Sequence, residues 1–243
     1  MNTPFERNAK SVNYFLPRAY EERLENQYCY DYYPIIWQPQ VYQIASFLGN
    51  QFSCNSMIDI GCGTATKLVQ WHPRFQIIGV DYGSNLDFCK HEYPFGQWIE
   101  QDLEQPSLIQ LERSVLQSSV IVCADVIEHL KDPSSLLVNI SQLMKHAKFC
   151  ILSTPDRELV HGYQHAGPPT NTAHVREWSK SELKQLLEYF QLRVSFIDWT
   201  INNEVDKHLS TIFAVISHTE NDWIAHDSKI STSITHIAKA KDK

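Results

Sequence analysis

The sequence predicts an α/β fold, a mostly parallel sheet with helices on both faces, and two observations carry that prediction. Five short apolar runs, near residues 57–60, 76–80, 97–100, 119–123 and 149–153, alternate with stretches of helical periodicity. Strands buried beneath crossover helices read this way. The first run, Met57-Ile58-Asp59-Ile60, ends in the turn Gly61-Cys62-Gly63-Thr64, and Asp81 closes the second run. An acidic residue about 20 positions beyond a glycine turn is where a nucleoside ribose is held in doubly wound folds.

Taken in order, the chain reads as one α/β domain with additions at both ends; 243 residues is within the range of such domains. Residues 1–50 form an aromatic-rich arm and a helix. The arm carries Tyr14, Phe15, Tyr20, Tyr28, Tyr30, Tyr32, Tyr33 and Trp37 without a sustained period, which suits a cap over a pocket and equally a staple onto the core. From Pro39, the residues Val41, Ile44, Ala45 and Leu48 share one helical face, with Gly49 expected just past the helix end. The core spans residues 51–218. Within it, Asp132-Pro133 opens a helix burying Leu136, Leu137, Ile140, Leu143 and Met144. Ser179 to Glu182 is a capping-box pattern opening another, with Leu183, Leu186, Leu187 and Phe190 inward. Two strand-like runs, Leu192 to Trp199 and Thr211 to Ser217, follow too closely for a long helix between them and suggest a terminal antiparallel pair. Residues 219–243 turn polar, lose periodicity and are expected to be a mobile tail.

Composition narrows the class. The formal charge is −7, from 21 Lys+Arg against 28 Asp+Glu, with no long basic run, so nucleic acid is a poor expected partner. No apolar stretch approaches the roughly 18 residues of a membrane span, and MNTPFERNAK has no signal-peptide core, so a cytoplasmic protein is expected. The six cysteines, Cys29, Cys54, Cys62, Cys89, Cys123 and Cys150, are scattered without a C-x-x-C and read as small buried hydrophobes in a reducing compartment.

Three motifs can carry chemistry. At the glycine turn, Thr66 stands where a dinucleotide fingerprint has its third glycine, which disfavours a pyrophosphate ligand. In Asp125-Val126-Ile127-Glu128-His129-Leu130, the three titratable residues Asp125, Glu128 and His129 stand at i, i+3 and i+4, on one face of a helical turn at a strand's carboxyl end. There His129 can take a proton near neutral pH, with Glu128 orienting or balancing it. Ser153-Thr154-Pro155-Asp156-Arg157 leads into a long patternless loop holding His161 and His165, then Ala173-His174-Val175-Arg176-Glu177-Trp178. Loops of that length usually have a function or no fixed order. The concentration of His161, His165, His174, Arg157 and Arg176 points to function.

Met57 to Leu68 resembles the first motif of class I S-adenosylmethionine (SAM) methyltransferases, and Gly79-Val80-Asp81 their ribose-binding second strand. The resemblance implies a Rossmann-like sheet of seven strands, mostly parallel with an antiparallel terminal strand. It also implies SAM as cofactor, held by Asp59, Gly61, Cys62, Gly63, Thr64, Asp81, Tyr82, Asp102, Leu103, Asp125 and Val126. Asp81 would accept the ribose hydroxyls and Asp102 the adenine amino group; Tyr82 and Leu103 would flank the adenine, and the Gly61–Gly63 backbone would admit the methionine part. The family often has glycine where Ala65 stands. Val126 to Leu130, Ser153 to Asp156 and His174 to Trp178 resemble methyltransferases of small-molecule and glycan pathways, including distant relatives of the ubiquinone O-methyltransferases. Trp37 to Tyr42 looks like a stretch preceding the core in bacterial members.

The expected function is therefore methyl transfer from SAM to a hydroxyl or amine of a small metabolite, sugar or specialised product. His129 is expected as general base, with Glu128 or His174 completing the catalytic set. Three alternatives stand beside it. Small-RNA 2′-O-methyltransferases hold a divalent ion through a Glu-x-x-Glu-His sequence and a distant His, matched here by Asp125, Glu128, His129 and His174, with Asp replacing the first Glu. Such a set can ligate Mg²⁺, Mn²⁺ or Fe²⁺. An NAD(P) oxidoreductase and a non-catalytic SAM-binding protein are the others. The acceptor and the oligomeric state are not written in the sequence.

Overall fold

The computed structural model describes residues 35–165, 168–217 and 227–240. Helix α1 (Pro39–Gln51) leads into β1 (Ser56–Ile60), β2 (Gln76–Asp81), α2 (Ser84–Glu92), β3 (Gln97–Glu100), the short α3 (Arg113–Leu116) and β4 (Ser119–Ala124). Then follow a 3-10 turn (Ile127–His129), α4 (Ser134–Leu143), β5 (Phe149–Pro155), α5 (Arg157–His161), α6 (Lys180–Tyr189), β6 (Val194–Ile201), β7 (Leu209–Ser217) and α7 (Ser228–Ala238). The strands form one seven-stranded sheet in the order β3-β2-β1-β4-β5-β7-β6. Every pair from β3 to β5 is parallel, and β7 runs antiparallel to both β5 and β6.

Strand alternation sends successive side chains into two cores. On one face Ile58, Ile60, Ile78, Val80, Ile121 and Leu152 pack with Leu136, Leu137 and Ile140 of α4 and Leu183 and Leu187 of α6. On the other, Met57, Ile77, Val120, Val122, Phe149 and Ile151 pack with Val41, Ile44 and Leu48 of α1. The central strands β1 and β4 are buried along their whole length, as parallel strands covered on both faces must be. Ser179 caps α6 in a complete capping box with Glu182, and the Asp132 carboxylate accepts from Ser134 N at 2.9 Å at the start of α4. The free cysteines Cys54, Cys62, Cys89, Cys123 and Cys150 are all buried; Cys29 lies outside the described residues.

The structure departs from the sequence reading at three places. Gly49 lies inside α1, where a Cβ would come within 2.8 Å of the Phe75 ring. Close packing, not helix termination, therefore requires glycine. The expected antiparallel pair of β6 and β7 is present, with β7 between β5 and β6 and β6 at the edge. The expected patternless tail is helical over Ser228–Ala238, burying Ile230, Ile234 and Ala238 at four-residue spacing against α1 and β6. Ser, Thr and Lys between these positions dilute the apolar signal without removing it. The long loop after β5 begins with α5, capped by the Asp156 carboxylate accepting from Glu158 N and Leu159 N. The aromatic arm up to residue 34, and residues 218–226 and 241–243 of the tail, lie outside the described residues.

Candidate active site

The carboxyl ends of β1, β2, β3 and β4 converge on one rim of the sheet, and each turn is shaped by local chemistry. After β1 the chain turns at Gly61, whose φ is +77° and whose added Cβ would lie 2.4 Å from Val126 Cγ2. Both facts require glycine, and the second shows Val126, at the end of β4, packed directly onto the turn. The Gly61 and Cys62 N–H groups donate to Val80 O at 2.8 and 3.1 Å. At Gly63, φ is +55° and nothing lies within 4 Å of a Cβ position, so the turn opens onto space that a ligand can enter. Ala65 is buried in the left-handed region at φ 57°, a conformation glycine adopts without strain. Alanine at Gly61 should cost about 2–5 kcal/mol, adding left-handed strain to overpacking against Val126. Thermal unfolding of Gly61→Ala checks this.

Asp81 closes β2 with its carboxylate accepting from Gly63 N at 2.7 Å and Tyr82 N at 2.8 Å. Burial pushes this carboxyl up, while the backbone N–H contacts pull the other way. The acidic residue read twenty positions beyond the turn is thus bonded to that turn. Tyr82 beside it is 37 % exposed, with its ring accessible. Gln101 N donates to Asp81 O at 2.8 Å, which brings the end of β3 alongside. Asp102 Oδ1 accepts from Glu104 N at 2.9 Å, shaping the turn that follows. Leu103 packs inward with the core, so of the two residues read as flanking a base, Tyr82 is the accessible one.

Asp59 faces α1 rather than the rim. Its Oδ2 accepts from the Tyr42 hydroxyl at 2.7 Å, and its buried Oδ1 has no hydrogen-bond partner. Burial raises its carboxyl to about 6. Because the folded-state value lies above the unfolded one, Asp59 favours folding fully below about pH 4 and loses that contribution as pH rises through about 6. Two units correspond to about 3 kcal/mol. Asp59→Asn, whose amide oxygen can still accept from Tyr42, should therefore flatten stability against pH over that window. Urea melts of both proteins at pH 4.5 and 7.5 measure the difference.

At the end of β4, Asp125 adopts φ 60° and sets up the 3-10 turn that places Glu128 and His129. Asp125 accepts from the Gln38 amide, and Gln38 also accepts from Ser153, joining the start of α1 to the ends of β4 and β5. Glu128 is fully buried: Oε2 accepts from Thr154 Oγ1 at 3.0 Å and Oε1 has no partner. Burial, then the neighbouring Asp125 charge, pushes its carboxyl well above the usual range. The Glu128 carbonyl accepts from Val175 N at 2.7 Å, drawing the distant His174 segment onto this turn. The His129 and His174 rings meet edge to face at 4.7 Å between centroids. His129 Nδ1 lies 2.8 Å from Ala173 O, an acceptor only, so Nδ1 carries the proton and Nε2 is the basic nitrogen.

One ligand atom from each of Glu128, His129 and His174 lies within 4.8 Å of the others. Asp125, which the RNA-methyltransferase pattern would add as a fourth, lies outside this group. The orphaned Glu128 Oε1 and two imidazoles suit a divalent cation in their donor chemistry. Arg157, read as a functional residue of the loop, instead pairs with both oxygens of Glu182 at 2.6 and 3.0 Å and holds α5 to α6. Gln38, Tyr42, Thr154 and Glu177 were not singled out as site residues in the sequence. Gln38, Tyr42 and Thr154 bond to partners 17 or more residues away, whereas Glu177 joins His174, three residues away, to His161.

A seven-stranded sheet of this order, with a glycine turn bonded to an acidic residue at the next strand's end, defines a Rossmann-like methyltransferase. The chain matches the family model for the methyltransferase domain over residues 5–195 and belongs to that family; it is a class I SAM-dependent methyltransferase. Solved structures share the fold. An S-adenosylmethionine-dependent methyltransferase from Clostridium acetobutylicum is 13% identical, with 79% of this chain and 95% of that chain covered and a TM-score of 0.55. The methyltransferase domain of bacterial CtHen1 is 19% identical, with 74% and 97% covered and a TM-score of 0.54. Magnesium protoporphyrin IX methyltransferase from Synechocystis, with bound SAH, is 15% identical, with 75% and 83% covered and a TM-score of 0.51. No curated protein matches the chain. Among the described residues no helix is long and apolar enough to cross a membrane.

Proposed function

We propose that this enzyme methylates a hydroxyl or amine of a small metabolite, sugar or specialised product in the cytoplasm. The observation that carries this reading is the fixed His129 imidazole, held through Nδ1 by Ala173 O beside His174 and Glu128. SAM supplies an electrophilic methyl on a sulfonium. Asp81, Tyr82, Asp102 and the Gly61–Gly63 turn are proposed to bind and orient it. His129 Nε2 takes the acceptor's proton as the acceptor atom bonds the methyl carbon and the carbon–sulfur bond breaks, leaving S-adenosylhomocysteine (SAH). Alignment and proton removal are the protein's contributions. The net charge of −7 supports a small acceptor over a nucleic acid. Kinship with the ubiquinone O-methyltransferases belongs to the same proposal and rests on the residue motifs alone.

A second reading is a metal-dependent RNA 2′-O-methyltransferase, favoured by the buried, partnerless Glu128 Oε1 beside two imidazoles. Glu128, His129 and His174 would hold the cation, which would polarise an acceptor hydroxyl. Transfer of labelled methyl from SAM to a panel of small hydroxyl and amine compounds, run beside a short RNA, separates the two. The first reading expects label in the small acceptors with the RNA blank; the reverse pattern overturns it.

A further inference from the structure

Glu177 and His161 have no part in the chemistry proposed above, yet Glu177 is buried beside it and the half-buried His161 packs its ring against Glu177. Glu177 Oε1 lies 2.6 Å from His174 Nδ1, and Oε2 lies 2.8 Å from His161 Nε2. Burial pushes the Glu177 carboxyl up, but the His174 and His161 contacts outweigh it and hold it below the usual range. An ionised carboxylate only accepts, so the facing nitrogen of each ring carries its proton.

Asn171 specifies the same state of His174 from the opposite edge of the ring. Its Oδ1 accepts from Ala173 N at 3.0 Å, which turns the amide so that Nδ2 faces His174 Nε2 at 3.0 Å. An NH₂ group only donates, so Nε2 must hold the lone pair. Two neighbours of different chemistry thus require one tautomer, Nδ1–H with Nε2 basic. Of the two, the charged contact to Glu177 is the stronger.

We propose that Glu177 is a positioning residue for the active site, holding His174 in the Nδ1–H tautomer with His161 as the carboxylate's second anchor. Its relevance to catalysis rests on the role proposed for His174. Carboxylates behind imidazoles fix ring orientation and basicity in this way in metal and acid–base sites. Glu177 is not needed to hold α5, which is capped by Asp156 and tied to α6 by the Arg157–Glu182 pair.

The test is long-range ¹H–¹⁵N correlation of the histidine rings in the ¹⁵N-labelled full chain at pH 8, with His174 assigned by its loss in His174→Gln. Wild type should show His174 as a single Nδ1–H tautomer, and Glu177→Ala should replace it with a mixture. Glu177→Gln should restore it: with Asn171 donating to Nε2, the glutamine must turn its oxygen to His174 and its NH₂ to His161. His161 should then switch to the Nδ1–H form. An Nε2–H or doubly protonated His174 in wild type overturns the proposal, as does a Glu177→Ala protein that keeps the single tautomer. Should Glu177→Ala not fold, wild type and Glu177→Gln still decide. Turnover of His174→Ala is a separate measurement: unchanged turnover with the expected spectra would remove the role of His174 in catalysis and leave its positioning by Glu177 intact.

Discussion

Asp81→Ala is expected to weaken SAH binding at least about 100-fold in a calorimetric titration, because it removes a charged acceptor from the proposed ribose end of the site. In the folded protein that carboxylate already accepts from Gly63 N and Tyr82 N. On the proposed binding mode the substitution strips the ligand's hydroxyls of their acceptor, and it also releases the turn bonded to Asp81. Each hydrogen bond to a charged group contributes about 1.5–3 kcal/mol, so the loss of two ribose contacts alone reaches the expected factor. Asp81→Asn keeps one acceptor atom and should lose about tenfold. If Asp81→Ala bound SAH within about threefold of wild type, the ribose would have to sit elsewhere on the rim.

His129→Ala and His174→Ala should each lower turnover of the true acceptor about 100-fold or more, the usual scale of a lost acid–base group. SAH affinity should stay within about twofold, because neither imidazole belongs to the glycine turn. Binding therefore separates this effect from a collapsed fold. A chelator sharpens the result. Turnover unaffected by chelation would assign His129 as the base without a cation, whereas turnover lost and restored by Mn²⁺ would make Glu128, His129 and His174 its ligands. Two alanine variants that turn over like wild type would exclude both assignments.

The legible part of this protein consists of local signals. The seven strands fall where the apolar runs lie, most plainly at β1 and β4, because parallel strands buried on both faces are continuous apolar segments that stand out against any background. The capping box at Ser179 and the periodic face of α4 are readable for a similar reason, since their partners lie within a few residues. The pairing of Asp81 with the glycine turn was readable because adjacent parallel strands place their carboxyl ends side by side. By contrast, α7 hides behind polar residues, and Gly49 follows a helix-stop pattern although its neighbour Phe75 imposes it.

By itself, then, the sequence determined the α/β class, the glycine turn with its acidic partner, and the family of the methyl donor. These depend on residues close together in the chain or on adjacent strands. Tertiary structure alone decided that β7 lies inside the sheet, that Arg157 is engaged by Glu182, and that His174 reaches His129 with Glu177 and His161 behind it. The reason is physical. A buried imidazole or carboxylate takes its state from whichever donors and acceptors surround it, and here the neighbours of His129 and Glu128 arrive from segments tens of residues away.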